Sequence, residues 1–248
     1  MMKRTLKWGG IILLSIITAY IAVIEYPSFL FSNSHTNRNV VIYSDKALDS
    51  NIDSISDDIV DRIKKSDYYN DNELYQVYIS NDYWRWSLLS NSAQNAGGIN
   101  YCLFQNNSFI RPSVIQENRI IPPGDGLADA KQRDLVYFIS HEIAHGMMCS
   151  EAGHSKMWLS APLWLREGYA DYVGKETFNF ADNHAQFIRG EHRLTEASGL
   201  YVRYHLYVAY LLDYKGFSID TLISNPPSIE MVESELANLS IDHVALNK

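Results

Sequence analysis

Residues 141–145 read His-Glu-Ile-Ala-His, a spacing that could hold a metal ion. Residues at positions i and i+4 of an α-helix share one face, so His141 and His145 could both reach the same ion. Zinc commonly binds two histidines, a third protein ligand and one water molecule, and that water is the reactive group. Glu142 lies beside the histidine face, where it could take a proton from the water. The pattern predicts a hydrolytic zinc site.

A third ligand is required, and the sequence offers two downstream candidates. His154 lies in a stretch flanked by glycine and serine, where a histidine is more often merely solvated. Glu167 lies in a segment that should form a helix of its own, and Asp171 follows it at i+4 on the same face. One carboxylate could bind the ion while the other accepts the free N–H of a ligating histidine. The longer motif HExxHxxGxxH is absent, because its third histidine would stand at the position of Glu151.

The elements that must position these residues follow a simple order along the chain. Short apolar or alternating segments predict strands at 40–43, 73–80, 96–104 and 108–115, and the last two could form a hairpin. Apolar residues at helical spacing predict helices at 47–65, 131–148, 162–174, 199–214, 218–224 and 227–239. Strands that precede most of the helices favour an α+β fold. Gly168 and Ala170 are small and should let their helix approach the HExxH helix closely.

The N-terminal segment contains 17 uncharged residues between Lys7 and Glu25. A membrane-spanning helix needs about 20 apolar residues, with a lower limit near 17. Three basic residues precede the segment and should remain cytoplasmic, so the rest of the chain would lie outside the cytoplasmic membrane. We therefore predict a single-pass signal anchor at 1–25, a linker at 26–39 and one domain at 40–248.

Two other interpretations of this segment stay open. A cleaved signal peptide has a similar basic start, but it requires small residues at positions −3 and −1 of the cut. Cuts after Ala19 or Ala22 would place Ile17 or Tyr20 at position −3, which fits poorly. The segment could also be a buried core helix, although that is unexpected at an N-terminus behind three cations.

Composition limits the remaining functions. The chain has 248 residues, 46% of them hydrophobic, and a net charge of −8. Residues 1–25 carry +2 and residues 26–248 therefore carry −10, and an acidic body is unsuited to binding nucleic acid. Cys102 and Cys149 could form a disulfide in an exported body, or they could remain separate buried thiols.

Around the candidate site the sequence resembles a known family. HEIAH followed by APLWLREGYADYV resembles the gluzincin metallopeptidases, and especially the small bacterial peptidase-MA-like domains, whose second motif has the form PxWxxEGxAxY. The matching positions are Pro162, Trp164, Glu167, Gly168, Ala170 and Tyr172. The resemblance is strong over residues 131–175. It is weaker elsewhere, where residues 96–99 resemble the edge strand of the substrate cleft in such domains.

The resemblance implies a zincin-like fold, in which an N-terminal mixed β-sheet precedes a helical half that carries the HExxH helix. It also implies that one Zn²⁺ ion is bound by His141, His145 and Glu167. Glu142 would then be the general base, and Asp171 would support a ligating histidine.

The group that would stabilise the oxyanion is less sharply indicated. Gluzincins commonly use a tyrosine or a histidine, which donates a hydrogen bond to the developing negative charge. The resemblance points to Tyr201, with Tyr204 and His205 as close alternatives.

The sequence thus predicts a membrane-anchored zinc metallopeptidase that acts on a peptide or protein substrate, with its catalytic domain in the periplasm or outside the cell. Two alternatives stay open. The chain could be a non-catalytic zinc-binding module of the same fold, or a zinc hydrolase of non-peptide amides such as cell-wall components. Glu142 favours an enzyme, because a binding module has no need of the base.

Overall fold

The structure is a computed structural model that describes residues 2–91, 93–103, 106–124, 133–153, 156–157 and 160–240. His154, one of the two candidate third ligands, lies outside these residues. The strands are β1 (Asn33–Asn37), β2 (Val40–Ser44), β3 (Tyr75–Ile79), β4 (Gly98–Asn100), β5 (Ser108–Ile110), β6 (Ser113–Val114) and β7 (Arg119–Ile120). The helices are α1 (Met2–Glu25), α2 (Ile52–Ile63), α3 (Tyr83–Ser90), α4 (Leu135–Ala152), α5 (Leu163–Gly174), α6 (Phe180–Ile188), α7 (Val202–Ala209), α8 (Ile219–Ser224) and α9 (Ile229–Ala237).

The main sheet has the order β1-β2-β3-β5-β4, and β6 and β7 form a separate pair. The three central strands run parallel, whereas β1 and β4 pair antiparallel at the two edges. All of these strands precede α4, so the predicted mixed sheet followed by a helical half is confirmed at the level of a mixed α/β architecture. The predicted antiparallel pairing of the segments at 96–104 and 108–115 is also confirmed, by β4 and β5.

Alternating side chains give the sheet an apolar core on each face. Val77 and Ile79 of β3 lie in the main core, which continues through α2, α4 and the later helices. Tyr78, between them, lies in a smaller second core with Phe109 of β5 and Ile24 of α1. Because successive side chains of a strand point to opposite faces, α4 and the end of α1 cover opposite sides of the sheet.

α4 is the helix that carries the HExxH motif, and it runs through the main core. Every residue from Leu135 to Cys149 except His145 is buried. Buried apolar neighbours on several sides fix the helix in position. This burial makes α4 a rigid support for the polar residues that it carries.

A buried arginine joins the start of α4 to the end of α5. Asp134 caps α4 by accepting a hydrogen bond of 2.6 Å from the backbone N–H of Tyr137. The guanidinium of Arg62, on α2, donates to both oxygens of Asp134, at 2.9 and 2.6 Å. It also donates to the carbonyl oxygen of Gly174 at 3.0 Å. Planar guanidinium groups suit such two-pronged contacts, so Arg62 holds three helices in register.

The predicted linker at 26–39 is wrong. Residues Pro27–Leu30 form a 3-10 turn, and Asn33–Asn37 form β1, which pairs along its whole length with β2. An edge strand with partly solvated faces needs no apolar residues, so its polar sequence resembles a loop. The helices α3 and α6 and the short strand β7 also lie outside the predicted segments.

α1 contains one candidate membrane span, Trp8–Glu25, of which only 11% is buried in the body. Such an exposed apolar helix does not fit the core-helix interpretation. Its C-terminal end is nevertheless part of the body, because Ile24 lies in the second core. The side-chain amide of Asn107 also donates to the carbonyl oxygens of Ile24 and Glu25, at 2.8 and 3.1 Å.

The two cysteines form a disulfide, with Cα atoms 5.6 Å apart. Cys102 lies just after β4 and Cys149 lies near the end of α4. The bond therefore joins the edge strand to the HExxH helix and decides between the two alternatives for these residues.

We expect the double substitution Cys102→Ser, Cys149→Ser to lower the free energy of unfolding by about 2–4 kcal/mol. The bond closes a long loop, and its loss gives the unfolded chain more conformations. Denaturant unfolding followed by circular dichroism would measure the difference. Wild-type protein in reductant should match the double variant, and an oxidised wild type no more stable than the variant would contradict the prediction.

Candidate metal centre

Two helices bring three ligand-type side chains together. His141 and His145 lie one turn apart on α4, and their Nε2 atoms are 3.2 Å apart. Glu167 reaches them from α5, and its Oε2 lies 3.4 Å from His141 Nε2 and 3.6 Å from His145 Nε2. Among the described residues, these three form the group of side chains that could hold a metal ion.

The spacing of the three atoms fits a zinc ion. Tetrahedral zinc with bonds of about 2.0–2.1 Å keeps its ligand atoms about 3.3–3.4 Å apart. The three distances among the two Nε2 atoms and the Glu167 Oε2, which are 3.2, 3.4 and 3.6 Å, lie around this value. Two imidazoles and one carboxylate are also a donor set that zinc accepts while leaving a fourth position for water.

The charges of the three groups complement one another. Burial raises the pKa of Glu167, but the adjacent His145 and His141 outweigh burial and hold this pKa well below its usual range. Burial lowers the pKa of His145, but the Glu167 carboxylate outweighs burial and raises this pKa. Glu167 is therefore ionised, as a carboxylate must be to bind a metal.

Glu142 lies at the junction of α4 and the edge strand β4. A Cβ atom on Gly98 would lie 2.6 Å from the Glu142 Cγ and 2.9 Å from its Oε1, so only glycine allows the strand to come this close. Burial raises the pKa of Glu142, and the histidines and a backbone hydrogen bond from Asn100 partly oppose that rise.

A cleft of about 280 Å³ opens over the cluster. One wall is β4 with the segment before it, and another is α4. The predicted ligands, Glu142 and Tyr201 all line the cleft, and so do Cys102 and Cys149. The cleft therefore holds the predicted site residues except Asp171, and the disulfide lies at its side.

The three candidates for oxyanion stabilisation occupy different environments. Tyr201 lines the cleft, and its ring stacks on that of His141 with centroids 5.7 Å apart. Burial raises its pKa, and so do the charges of Glu167 and Glu142, so the hydroxyl keeps its proton. Tyr204 instead donates to Glu196 at 3.1 Å, in an exposed hydrogen bond. His205 is buried behind the site, with Nδ1 2.9 Å from Asp171.

Asp171 does not make the predicted hydrogen bond to a ligating histidine. Its carboxylate accepts from the Tyr137 hydroxyl at 2.5 Å and lies next to His205 Nδ1. Nδ1 of His141 is buried and has no hydrogen-bond partner among the described residues. Tyr137 lies between the two, since its ring centroid is 5.6 Å from that of His141. Asp171 thus supports the histidine through a tyrosine ring.

The expected role of Gly168 also needs correction. A Cβ atom on Gly168 would lie 2.5 Å from the backbone oxygen of Tyr204, so this glycine permits the close approach of α7, not of α4. Gly174 faces α4 instead, where a Cβ atom would lie 3.2 Å from the backbone nitrogen of His141. Gly174, at the end of α5, is therefore a glycine that permits the close approach to α4.

Tyr137 is a cleft residue that the two motifs do not predict. It lies four residues before His141, and this i, i+4 spacing on a predicted helix places it on the same face. That spacing could have identified it. Asn100 and Arg133 also line the cleft, but they belong to segments in which no motif singles them out.

The chain matches no known family model, and no curated protein matches it either. The likeness to gluzincins therefore depends on the two motifs and on the geometry of the cluster.

We expect Glu167→Ala to lose most of its zinc on dialysis, because the variant keeps only two protein ligands. Metal content per protein, measured by atomic emission, tests this. Glu191→Ala is the matched control, since Glu191 is a glutamate at the surface that pairs with Arg189 at 2.7 Å. Equal zinc content in the two variants would remove Glu167 from the set of ligands.

Proposed function

We propose that this chain is a zinc-dependent metallopeptidase of the gluzincin type, with a zincin-like fold and a membrane anchor. One observation carries the proposal. Three ligand atoms, from His141, His145 and Glu167, lie at tetrahedral spacing in an open cleft, with the Glu142 carboxylate beside them. A carboxylate in this position has no role in binding the metal, and its presence favours catalysis over mere metal storage.

Each of the cleft residues would have a separate role in hydrolysis. When bound, zinc would polarise the scissile carbonyl and lower the pKa of a water molecule toward about 7. Glu142 would accept a proton from the attacking water and deliver it to the leaving amine. The protonated hydroxyl of Tyr201 would donate a hydrogen bond to the carbonyl oxygen as negative charge develops there.

The edge strand β4 supports a peptide as the substrate. It is the terminal strand of the sheet and lies along the cleft, and an extended peptide can pair with such an edge. Gly97 and Gly98 keep this strand close to α4, because a Cβ atom on either would overlap Phe138 or Glu142. The strand would thereby present a substrate backbone next to the general base.

The location we propose is a single pass through the membrane by α1, with the body on the outer side. The apolar span Trp8–Glu25 supports the anchor. The disulfide between Cys102 and Cys149 supports an extracytoplasmic body, since disulfides persist in oxidising compartments. The packing of Ile24 in the second core supports a helix that is retained, not cleaved.

The decisive experiment is Glu142→Gln. The amide has nearly the shape of the carboxylate but cannot accept the proton, so cleavage of a mixed peptide library should fall by about 10²–10⁴-fold. Zinc content should be unchanged, because Glu142 is not a ligand. Wild-type cleavage should stop in the presence of a chelator. A variant as active as wild type would overturn the proposal, and so would a wild type that cleaves no peptide with zinc bound.

A second pair of variants tests the assignment of the tyrosine. We expect Tyr201→Phe to lower kcat by about 10²-fold, since one hydrogen bond to the oxyanion is lost. Tyr204→Phe loses only the hydrogen bond to Glu196 and should keep kcat near that of wild type. The reverse order of effects would transfer the role to Tyr204.

A further inference from the structure

The body of the protein overlaps the apolar span of α1. The hydroxyl of Tyr20, on α1, donates to the carbonyl oxygen of Leu88, on α3, at 3.0 Å. Tyr20 belongs to the span Trp8–Glu25 and lies well before its end. α3 therefore lies beside the last turns of the apolar helix.

The apolar span is too short for α3 to lie in water beside its last turns. At about 1.5 Å per residue, the twelve residues Trp8–Ala19 cover about 18 Å, whereas the hydrocarbon core of a bilayer is about 30 Å thick. The turns from Tyr20 to Ile24 must therefore also lie within or at the border of the apolar layer. Since α3 is packed against these turns, it lies at the same depth.

The side chains on this part of the surface suit such a location. Tyr83, Trp84 and Leu88 of α3 are exposed, and so are Tyr26 and Phe29, which follow α1 directly. We call these five residues the aromatic collar. Tyrosine and tryptophan favour the membrane–water interface, where an apolar ring and a polar edge are both accommodated.

The two parts of the collar, on α3 and on the Pro27–Leu30 turn, are joined by Arg85. The side chain of Arg85, on α3, donates to the carbonyl oxygen of Leu30 at 2.8 Å, which ties the Pro27–Leu30 turn to that helix. Arg85 is the sole charged residue of α3, and it pairs with Asp45 and Asp82. The exposed part of α3 is thus apolar and aromatic.

We propose that the aromatic collar lies in the headgroup layer of the bilayer that α1 spans, so that the body is seated on the membrane. This proposal rests on the membrane anchor of the proposed function, but not on peptidase activity. It also joins one wall of the cleft to the seated helix α3. Gln94, between two cleft-lining alanines, accepts hydrogen bonds from Tyr83 and Trp86 of α3, at 3.0 Å each. The substrates of this cleft would then be peptide segments close to a bilayer.

Site-directed spin labels on the full-length protein in phosphatidylcholine–phosphatidylglycerol vesicles test the proposal. Labels are placed at Trp84→Cys and Leu88→Cys in the collar, and at Leu13→Cys in the span. Ile188→Cys is the matched control, because Ile188 is a similarly exposed apolar side chain on α6. Collision rates with oxygen, which concentrates in lipid, and with a water-soluble nickel chelate report the depth of each label.

We expect the oxygen-to-nickel collision ratio at both collar positions to exceed that at Ile188 severalfold, and the ratio at Leu13 to be higher still. A high ratio at Leu13 with collar positions equal to Ile188 would overturn the seated body and leave the anchor intact. A low ratio at Leu13 would overturn the anchor, and the collar proposal with it. Spin–spin broadening between collar labels would show instead that a second copy covers the collar, which also overturns the proposal.

Discussion

The close packing of α5 against α4 is the constraint on which the candidate site depends. The two histidines come from one helix and need no tertiary contact to lie together, but Glu167 must arrive from another helix to within 3.4 and 3.6 Å of them. Gly174 lets the two backbones approach. Arg62 then fixes the approach by bonding the first turn of α4 and the last turn of α5 at once. A shift of one helix relative to the other would separate the ligand atoms.

The same packing accounts for the polar residues in an otherwise apolar core. His141 and Glu142 are buried in α4, where an unpaired polar group costs free energy. The groups next to them come from three separate segments: Glu167 from α5, the Asn100 backbone from β4, and the ring of Tyr201 before α7. The site is therefore built from elements far apart in sequence, which the main core brings together. The zinc proposed for the cluster would satisfy its charges further.

Patterns in the sequence predicted those features of the fold and of the site that local interactions determine. The spacing of two histidines fixes their common face. The apolar periodicity predicted α5 to within one residue at its start, whereas α4 begins and ends four residues later than the predicted helix at 131–148. The sequence could not reveal β1, because an edge strand is stabilised by its partner and not by its own apolar residues. It could not assign Gly168 and Gly174 to their neighbours, since both are small and only the assembled helices decide which one faces α4. Likewise, the sequence could not pair Asp171 with Tyr137 and His205, because only tertiary packing brings these two residues within reach.

The attachment of α1 to the body determines how the body would move relative to the membrane. A domain on a flexible tether sweeps a hemisphere above the membrane and meets targets at many heights and angles. Here Asn107 holds the carbonyl groups of Ile24 and Glu25, and the chain passes through one short turn into β1. With α1 in a bilayer, the body could spin about the helix axis and diffuse laterally, but its cleft would keep one height and one tilt. Encounters with membrane-bound substrates would then occur in two dimensions. The distance of a peptide bond from the bilayer would decide whether it can enter the cleft, whatever side chains surround it.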